Sequence, residues 1–184
     1  MRLLPAALLC ALALAGCDQK PAEKADAAKP GQTQAAAPGV PGPHYDTSEA
    51  ANQKFLADYA AQPGVIKTGD GLLYKVIKSG TGKTPLTTAD QVTVLYKGQL
   101  INGSVFDQTT PADPSDPNSG PRTFPAGALI PGWVQALSMM KEGDEWELVI
   151  PYALAYGEEG RPPVIPARQT LVFRMTLQKV EFAQ

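Results

Sequence analysis

Thiols, imidazoles and long apolar runs are what this sequence has least of. Among its 184 residues there are two cysteines and one histidine. Both cysteines, Cys10 and Cys17, stand near the start, so the remainder of the chain has neither a disulfide nor thiol chemistry to draw on. His44 is alone in a Pro/Gly-rich segment, and without a His/Cys cluster nothing points to a zinc site or any other metal site. No basic run breaks a formal net charge of −2, which argues against nucleic acid as a partner. The longest apolar run, Leu3 to Leu14, is shorter than the roughly 20 residues a membrane-spanning helix needs. No nucleophile–base pair or glycine-rich phosphate loop is present either, so the expected chemistry needs no cofactor. What is left is room for one domain of ordinary size and a tail.

The tail has its own logic. Arg2, the apolar run and the small residues Ala15-Gly16 describe an export signal. Leu14-Ala15-Gly16-Cys17 resembles the bacterial lipobox, which implies a signal over residues 1–16 and lipidation at Cys17 as the new first residue. Lipid chains there would anchor the protein to a membrane of the bacterial cell envelope, facing the periplasm or the cell surface, and more than one chain is needed for stable anchoring. Asp18 resembles the signal that retains lipoproteins in the inner membrane of enteric bacteria; the rule varies between bacterial groups, so inner against outer membrane stays open. Residues 17–44 are Ala, Pro, Lys, Gln and Gly with almost no large apolar side chain. They cannot bury enough surface to offset chain entropy and read as a flexible tether.

Residues 45–68 form a short helix and connector. Asp46-Thr47-Ser48-Glu49 predicts the helix start, with Asp46 as N-cap and Glu49 three residues on, and Pro63-Gly64 ends it. Ala51, Phe55 and Tyr59 share one face, with Leu56 beside it. That face packs against the main domain or a second copy.

From residue 69 to 184 strands dominate. Leu72–Lys78, Gln91–Ile101, Ser104–Asp107, Thr123–Ala126, Glu145–Ile150 and Gln169–Glu181 carry the pattern. Val92, Val94 and Tyr96 alternate with Thr93, Leu95 and Lys97, and Leu171, Phe173, Met175 and Leu177 share a face. Asn102-Gly103 signals a hairpin because both positions tolerate positive φ. One stretch breaks the pattern. In Leu129–Leu137, closed by Met140, apolar side chains recur at Trp133, Leu137 and Met140, the spacing of a helix face, with Pro131-Gly132 at the entry. Hairpin links without intervening helices predict an α+β domain: an antiparallel, twisted sheet packed around one short helix. One sheet face buries against the Trp133 helix and the other is polar enough for water. Trp133 is then either plain core or the floor of a pocket.

Six segments in order tip that balance: Val94-Leu95-Tyr96-Lys97-Gly98, Asn102-Gly103-Ser104-Val105-Phe106-Asp107, Leu129-Ile130-Pro131-Gly132-Trp133, Ala155-Tyr156-Gly157, Val164-Ile165-Pro166 and Thr170-Leu171-Val172-Phe173. Together they resemble the FKBP-type peptidyl-prolyl cis–trans isomerases, over about Gly69 to Phe182. With the preceding helix, the chain looks most like the exported branch related to macrophage infectivity potentiators. The resemblance implies an FKBP-like fold with the pocket between sheet and helix. It implies Trp133 as the floor and Tyr96, Phe106 and Phe173 as aromatic walls. Leu129 and Ile130 line one rim, with the Ile130 N–H open to a ligand carbonyl. Tyr156 offers its hydroxyl, Val164 and Ile165 cover the remaining side, Phe124 adds a wall, and Asp107 is the pocket aspartate. It also implies the partners: proline-containing folding polypeptides and macrolides of the tacrolimus type. The alternatives are a chaperone-like or adhesive peptide-binding lipoprotein with little turnover, and a structural β lipoprotein with Trp133 packed shut. The loop from Gln108 to Arg122 is longer than in a minimal family member, which leaves a pairing of Arg122 with Asp107 open. Arg161 adds positive charge on the pocket-side loop.

Overall fold

A computed structural model of the chain describes residues 46–112, 115–116 and 119–184. The signal, Cys17, the tether and His44 lie outside the described residues. Helix α1 (Glu49–Ala60) comes first, followed by strands β1 (Val65–Lys67), β2 (Leu73–Lys78), β3 (Gln91–Leu100), β4 (Val105–Gln108) and β5 (Arg122–Pro125). Helix α2 (Pro131–Leu137), strand β6 (Glu145–Ile150), a single 3-10 turn (Tyr152–Leu154) and strand β7 (Leu171–Glu181) complete the order. The described strands form one seven-stranded sheet in the order β1-β2-β6-β7-β3-β4, with every pairing antiparallel. β3 serves two neighbours on one side, pairing with β5 over Gln91–Val94 and with β4 over Lys97–Gln99. No helix among the described residues is long and apolar enough to cross a membrane.

The alternation read in β3 is the alternation of burial: Val92, Val94, Tyr96, Gly98 and Leu100 point inward and their neighbours do not. β7 lies alongside from Gln91↔Glu181 to Leu100↔Leu171 and adds Leu171, Phe173, Met175 and Leu177 to the same core. α2 crosses that face and buries Trp133, Leu137 and, just past its end, Met140. It sits close to β6 because Gly132 has no side chain; a Cβ there would lie 2.5 Å from Ile150 Cγ2.

The other sheet face is not left to water as its polarity suggests. α1 packs on it, and Phe55 and Tyr59 join Leu73, Ile101, Val149 and Val172 in a second apolar cluster. Burial of a side chain such as Phe55 contributes about 2 kcal/mol, enough to hold a short helix that would not persist alone. The Tyr59 hydroxyl donates to Glu147 Oε1 at 2.6 Å, so a buried carboxylate on β6 has a partner.

Local details also differ from the sequence reading. Ser48, not Asp46, caps α1, its Oγ accepting from the Ala51 N–H at 3.2 Å, while Asp46 accepts from the Ser48 N–H at 2.7 Å. β1 carries only three residues, too few to show a period. At the hairpin only Gly103 takes positive φ, at 85°. The Gly103 N–H bonds to the Leu100 carbonyl and the Leu100 N–H to Ser104, the three-residue loop with a bulged glycine rather than the two-residue turn. β7 starts at Leu171 because the Thr170 N–H is taken by the side chain of Asn52 at 2.7 Å instead of by the ladder.

Candidate active site

Strand β3 places Tyr96, β4 places Phe106 and Asp107, β5 places Phe124, α2 places Trp133, and β7 places Phe173. These elements meet at one end of the main core, where the rings pack edge to face. Trp133 lies at 5.0 Å from Tyr96, 5.1 Å from Phe173 and 6.5 Å from Phe124 between centroids, each near perpendicular. Phe106 meets Phe173 at 5.5 Å and 86°. Such T-shaped pairs let the positive ring edge meet the negative face, which fixes orientation as well as burying area. Trp133, Tyr96 and Phe173 are buried, whereas Phe106, Phe124, Leu129, Ile130 and Tyr156 pack against them and remain half-exposed. Ile165 is buried in the same cluster, but Val164 is 54% exposed and stays outside it.

A backbone feature makes room for this. Gly98 faces the rings of Phe173 and Phe106, and a Cβ there would lie 2.6 Å and 2.7 Å from them. Any other residue on β3 at this position would push the aromatic wall off its perch.

The polar edge is built from Tyr96, Asp107 and Arg122. Tyr96 donates its hydroxyl proton to Asp107 Oδ2 at 2.7 Å, and Arg122 Nη1 donates to Tyr96 Oη at 2.8 Å and to Asp107 Oδ1 at 3.3 Å. The pairing left open by the long loop therefore forms: Arg122 opens β5, and the β3–β5 register brings it opposite Val94. The Tyr96 phenol is pushed up to about 12, first by burial, then by its bond to Asp107 and that carboxylate's charge, with Arg122 pulling the other way. It is a neutral donor throughout the physiological range.

Elsewhere in the cluster stand donors without a protein partner. Among the described residues, neither the Ile130 N–H nor the Tyr156 hydroxyl has a hydrogen-bond partner, and the buried Trp133 Nε1 has none either. The Ile130 N–H and the Tyr156 hydroxyl are half-exposed beside the aromatic cluster, so both are free to bond a ligand as well as water. Arg161 stacks over the Tyr156 ring, its guanidinium carbon 5.8 Å from the centroid. Sequence reasoning did not find the contacts that tie the Tyr156 loop to α1. They come from Asn52, Gln169 and Arg168, polar residues whose only sequence signal is that Asn52 interrupts the apolar face of α1.

A family model described as FKBP-type peptidyl-prolyl cis-trans isomerase matches residues 82–178, the span holding every ring and donor above. The chain belongs to this family. A second model, the domain amino terminal to FKBP-type peptidyl-prolyl isomerase, matches residues 14–76. The peptidyl-prolyl cis-trans isomerase Mip of Coxiella burnetii is 43% identical over 130 residues, 71% of this chain and 54% of that protein. The outer membrane protein MIP of Legionella longbeachae is 38% identical, over 75% of this chain and 56% of its own length. The chain thus spans about half the length of these FKBP relatives. A solved structure of a peptidyl-prolyl cis-trans isomerase from Pseudomonas syringae superposes with a TM-score of 0.64 at 37% identity, covering 72% of this chain and 92% of that one. Sheet, crossing helix and preceding short helix are those of an FKBP fold, as the sequence implied.

Proposed function

We propose that this protein catalyses cis–trans isomerisation of Xaa–Pro bonds in exported polypeptides, with the cluster around Trp133 as the proline pocket. The observation that carries the proposal is the set of perpendicular ring contacts around Trp133, against which the half-exposed Ile130 and Tyr156 pack with an N–H and a hydroxyl left without protein partners. Rotation about the bond is opposed by amide resonance, a barrier of roughly 18–20 kcal/mol, while the two isomers differ by only about 0.5–1 kcal/mol. No bond is broken, so no nucleophile is required. Trp133, Tyr96, Phe106, Phe124 and Phe173 form a dry surface for the pyrrolidine ring. Water removed from the amide no longer solvates its polar, planar form, and an aromatic pocket that fits the twisted amide favours the transition state over both planar states. The Ile130 N–H and the Tyr156 hydroxyl hold carbonyls flanking the proline, with Leu129, Val164 and Ile165 bordering the peptide. Asp107 keeps Tyr96 oriented and adds negative potential at one side; it is not a general base.

The same aromatic surface suits macrolides of the tacrolimus type, which we propose as inhibitors. Attachment to a membrane of the cell envelope through lipid on Cys17 completes the reading, supported by the Leu14–Cys17 motif and by a relative named an outer membrane protein. A Cys17→Ser variant is expected to leave the membrane fraction; its retention there would remove the anchor.

The deciding experiment measures isomerisation of a short Xaa-Pro-Phe peptide by the purified full chain, with and without tacrolimus. The expected result is turnover that the macrolide blocks and that Trp133→Leu and Tyr156→Phe reduce. Peptide binding without turnover by the folded protein would overturn the isomerase in favour of a binding module.

A further inference from the structure

The rim that presents Tyr156 and Ile165 is a single loop, residues 151–168, between β6 and β7. It is tied internally: Gly157 N–H to Tyr152 O at 2.8 Å, Gly160 N–H to Tyr156 O at 3.1 Å, and Arg161 with Ile165 by a pair of bonds at 2.8 and 3.0 Å. Its closing bond is from the Arg168 N–H to Gly157 O at 3.2 Å, next to Tyr156 in the chain. Arg168 takes a positive φ of 55°, unusual for a residue with a Cβ, so something other than its own preference holds it there.

Two ion pairs tie its side chain, one of them to the first turn of α1, distant in sequence. The Arg168 guanidinium bonds Glu49 Oε2 at 3.0 Å from one side and the carboxylate of Glu158, itself in the loop, from the other. Next to it, Asn52 is 3% exposed and fully engaged. Its Nδ2 donates to Ser48 O at 2.9 Å and to Thr47 O and Gln169 Oε1 at 3.3 Å, and its Oδ1 accepts the Thr170 N–H at 2.7 Å. Gln169 Nε2 donates to Thr47 O and Ala167 O, both at 3.0 Å. Phe55 and Tyr59, with Ala51 and Leu56 beside them, pack α1 against the sheet. The polar stitches at its N-terminus go to the loop stem instead.

We infer that the first turn of α1 positions the catalytic rim: Glu49 and Asn52, acting through Arg168, Gln169 and Thr170, hold the loop that aims Tyr156 and Ile165 at the substrate. These are positioning residues, not catalytic ones, and the inference rests on the isomerase reading above. Loosening the stem lets the loop sample poses in which Tyr156 cannot meet a carbonyl, so the loss falls on productive binding.

The test uses the full chain with Glu49→Gln, Asn52→Ala, Arg168→Gln and Arg168→Lys. Glu49→Gln removes only the helix end of a half-exposed ion pair, so kcat/KM on a short peptide is expected to fall roughly 3-fold. Asn52→Ala, which strips a buried network, is expected to lower it roughly 10-fold or more. Both losses should appear mainly in KM, and Arg168→Lys should recover part of what Arg168→Gln loses. Amide NMR shifts in Glu49→Gln should move at Tyr156, Gly157 and Ile165 and stay put at Phe106 on the opposite wall. Wild-type kcat/KM in the folded Glu49→Gln and Arg168→Gln variants, with unmoved loop amides, would overturn the inference. Absence of turnover in the wild type would instead sink the isomerase reading, and the amide shifts alone would then decide whether α1 positions the loop.

Discussion

Tyr96 on β3 and Asp107 on β4 are joined directly, the phenol donating to the carboxylate at 2.7 Å with Arg122 bridging both. Replacing Tyr96 by Phe keeps the ring against Trp133 and removes only the hydroxyl. Asp107 then keeps Arg122 but loses a half-buried donor, at a cost of about 1 kcal/mol, and isomerisation is expected to fall about 10-fold as the carboxylate's orientation loosens. Thermal melts and peptide assays on Tyr96→Phe and Asp107→Asn check both. The raised phenol sets a sign as well. A group with a folded pKa of about 12 against an ordinary 10.0 contributes stability that is fully present below pH 10 and is lost as pH rises toward 12. Activity should therefore show no Tyr96 ionisation between about pH 6 and 9; a limb in that range that vanishes in Tyr96→Phe would contradict the geometry.

Gly98 is the hinge of the aromatic wall. In Gly98→Ala the new methyl meets Phe173 Cε1 at 2.6 Å and Phe106 Cζ at 2.7 Å, so one or both rings must shift. Overpacking of this kind is expected to cost about 1–3 kcal/mol and to shift the near-ultraviolet circular dichroism of the cluster. Denaturant unfolding gives the first, and unchanged stability with a shifted aromatic spectrum would show that the rings move aside at no cost.

Asp90 is a buried acid outside the pocket, 2% exposed, and it ties the chain's end to the sheet. Its carboxylate accepts the N–H groups of Leu86, Thr87 and Ala183 at 2.7, 2.8 and 2.9 Å. Bonds from the Ala183 and Thr87 backbone chiefly hold its pKa at about 2, below the ordinary 3.8. With the folded value lowered, the stability it contributes is present above pH 3.8 and is lost as pH falls through about 2. Asp90→Asn should melt several degrees below wild type at neutral pH, with the gap constant above about pH 5 and closing on acidification. A gap that stays the same at pH 2 would mean the loss is steric rather than electrostatic.

The sheet and the crossing helix were legible in the sequence for reasons that act locally. Period-two burial in β3 follows from alternating Cβ directions, and Trp133, Leu137 and Met140 recur at the period of a helix. The ordered motifs then assigned Tyr96, Phe106, Asp107 and Phe173 to one end of that core, where the structure gathers them. The partners of long polar side chains were not legible. Whether Arg122 reaches Asp107 depends on the β3–β5 register, and whether Asn52 meets Thr170 depends on which sheet face α1 covers. Neither leaves a periodic trace, because a hydrogen bond between residues 118 apart constrains no neighbour in sequence. By itself, then, the sequence determined the elements, the inward faces and the chemistry available, since backbone geometry and solvent exclusion act within a few residues. Only the tertiary structure decided that the second sheet face is packed by α1, that Val164 stays in water, and that Glu49 and Asn52 meet Arg168, Gln169 and Thr170, because those outcomes depend on distant surfaces meeting.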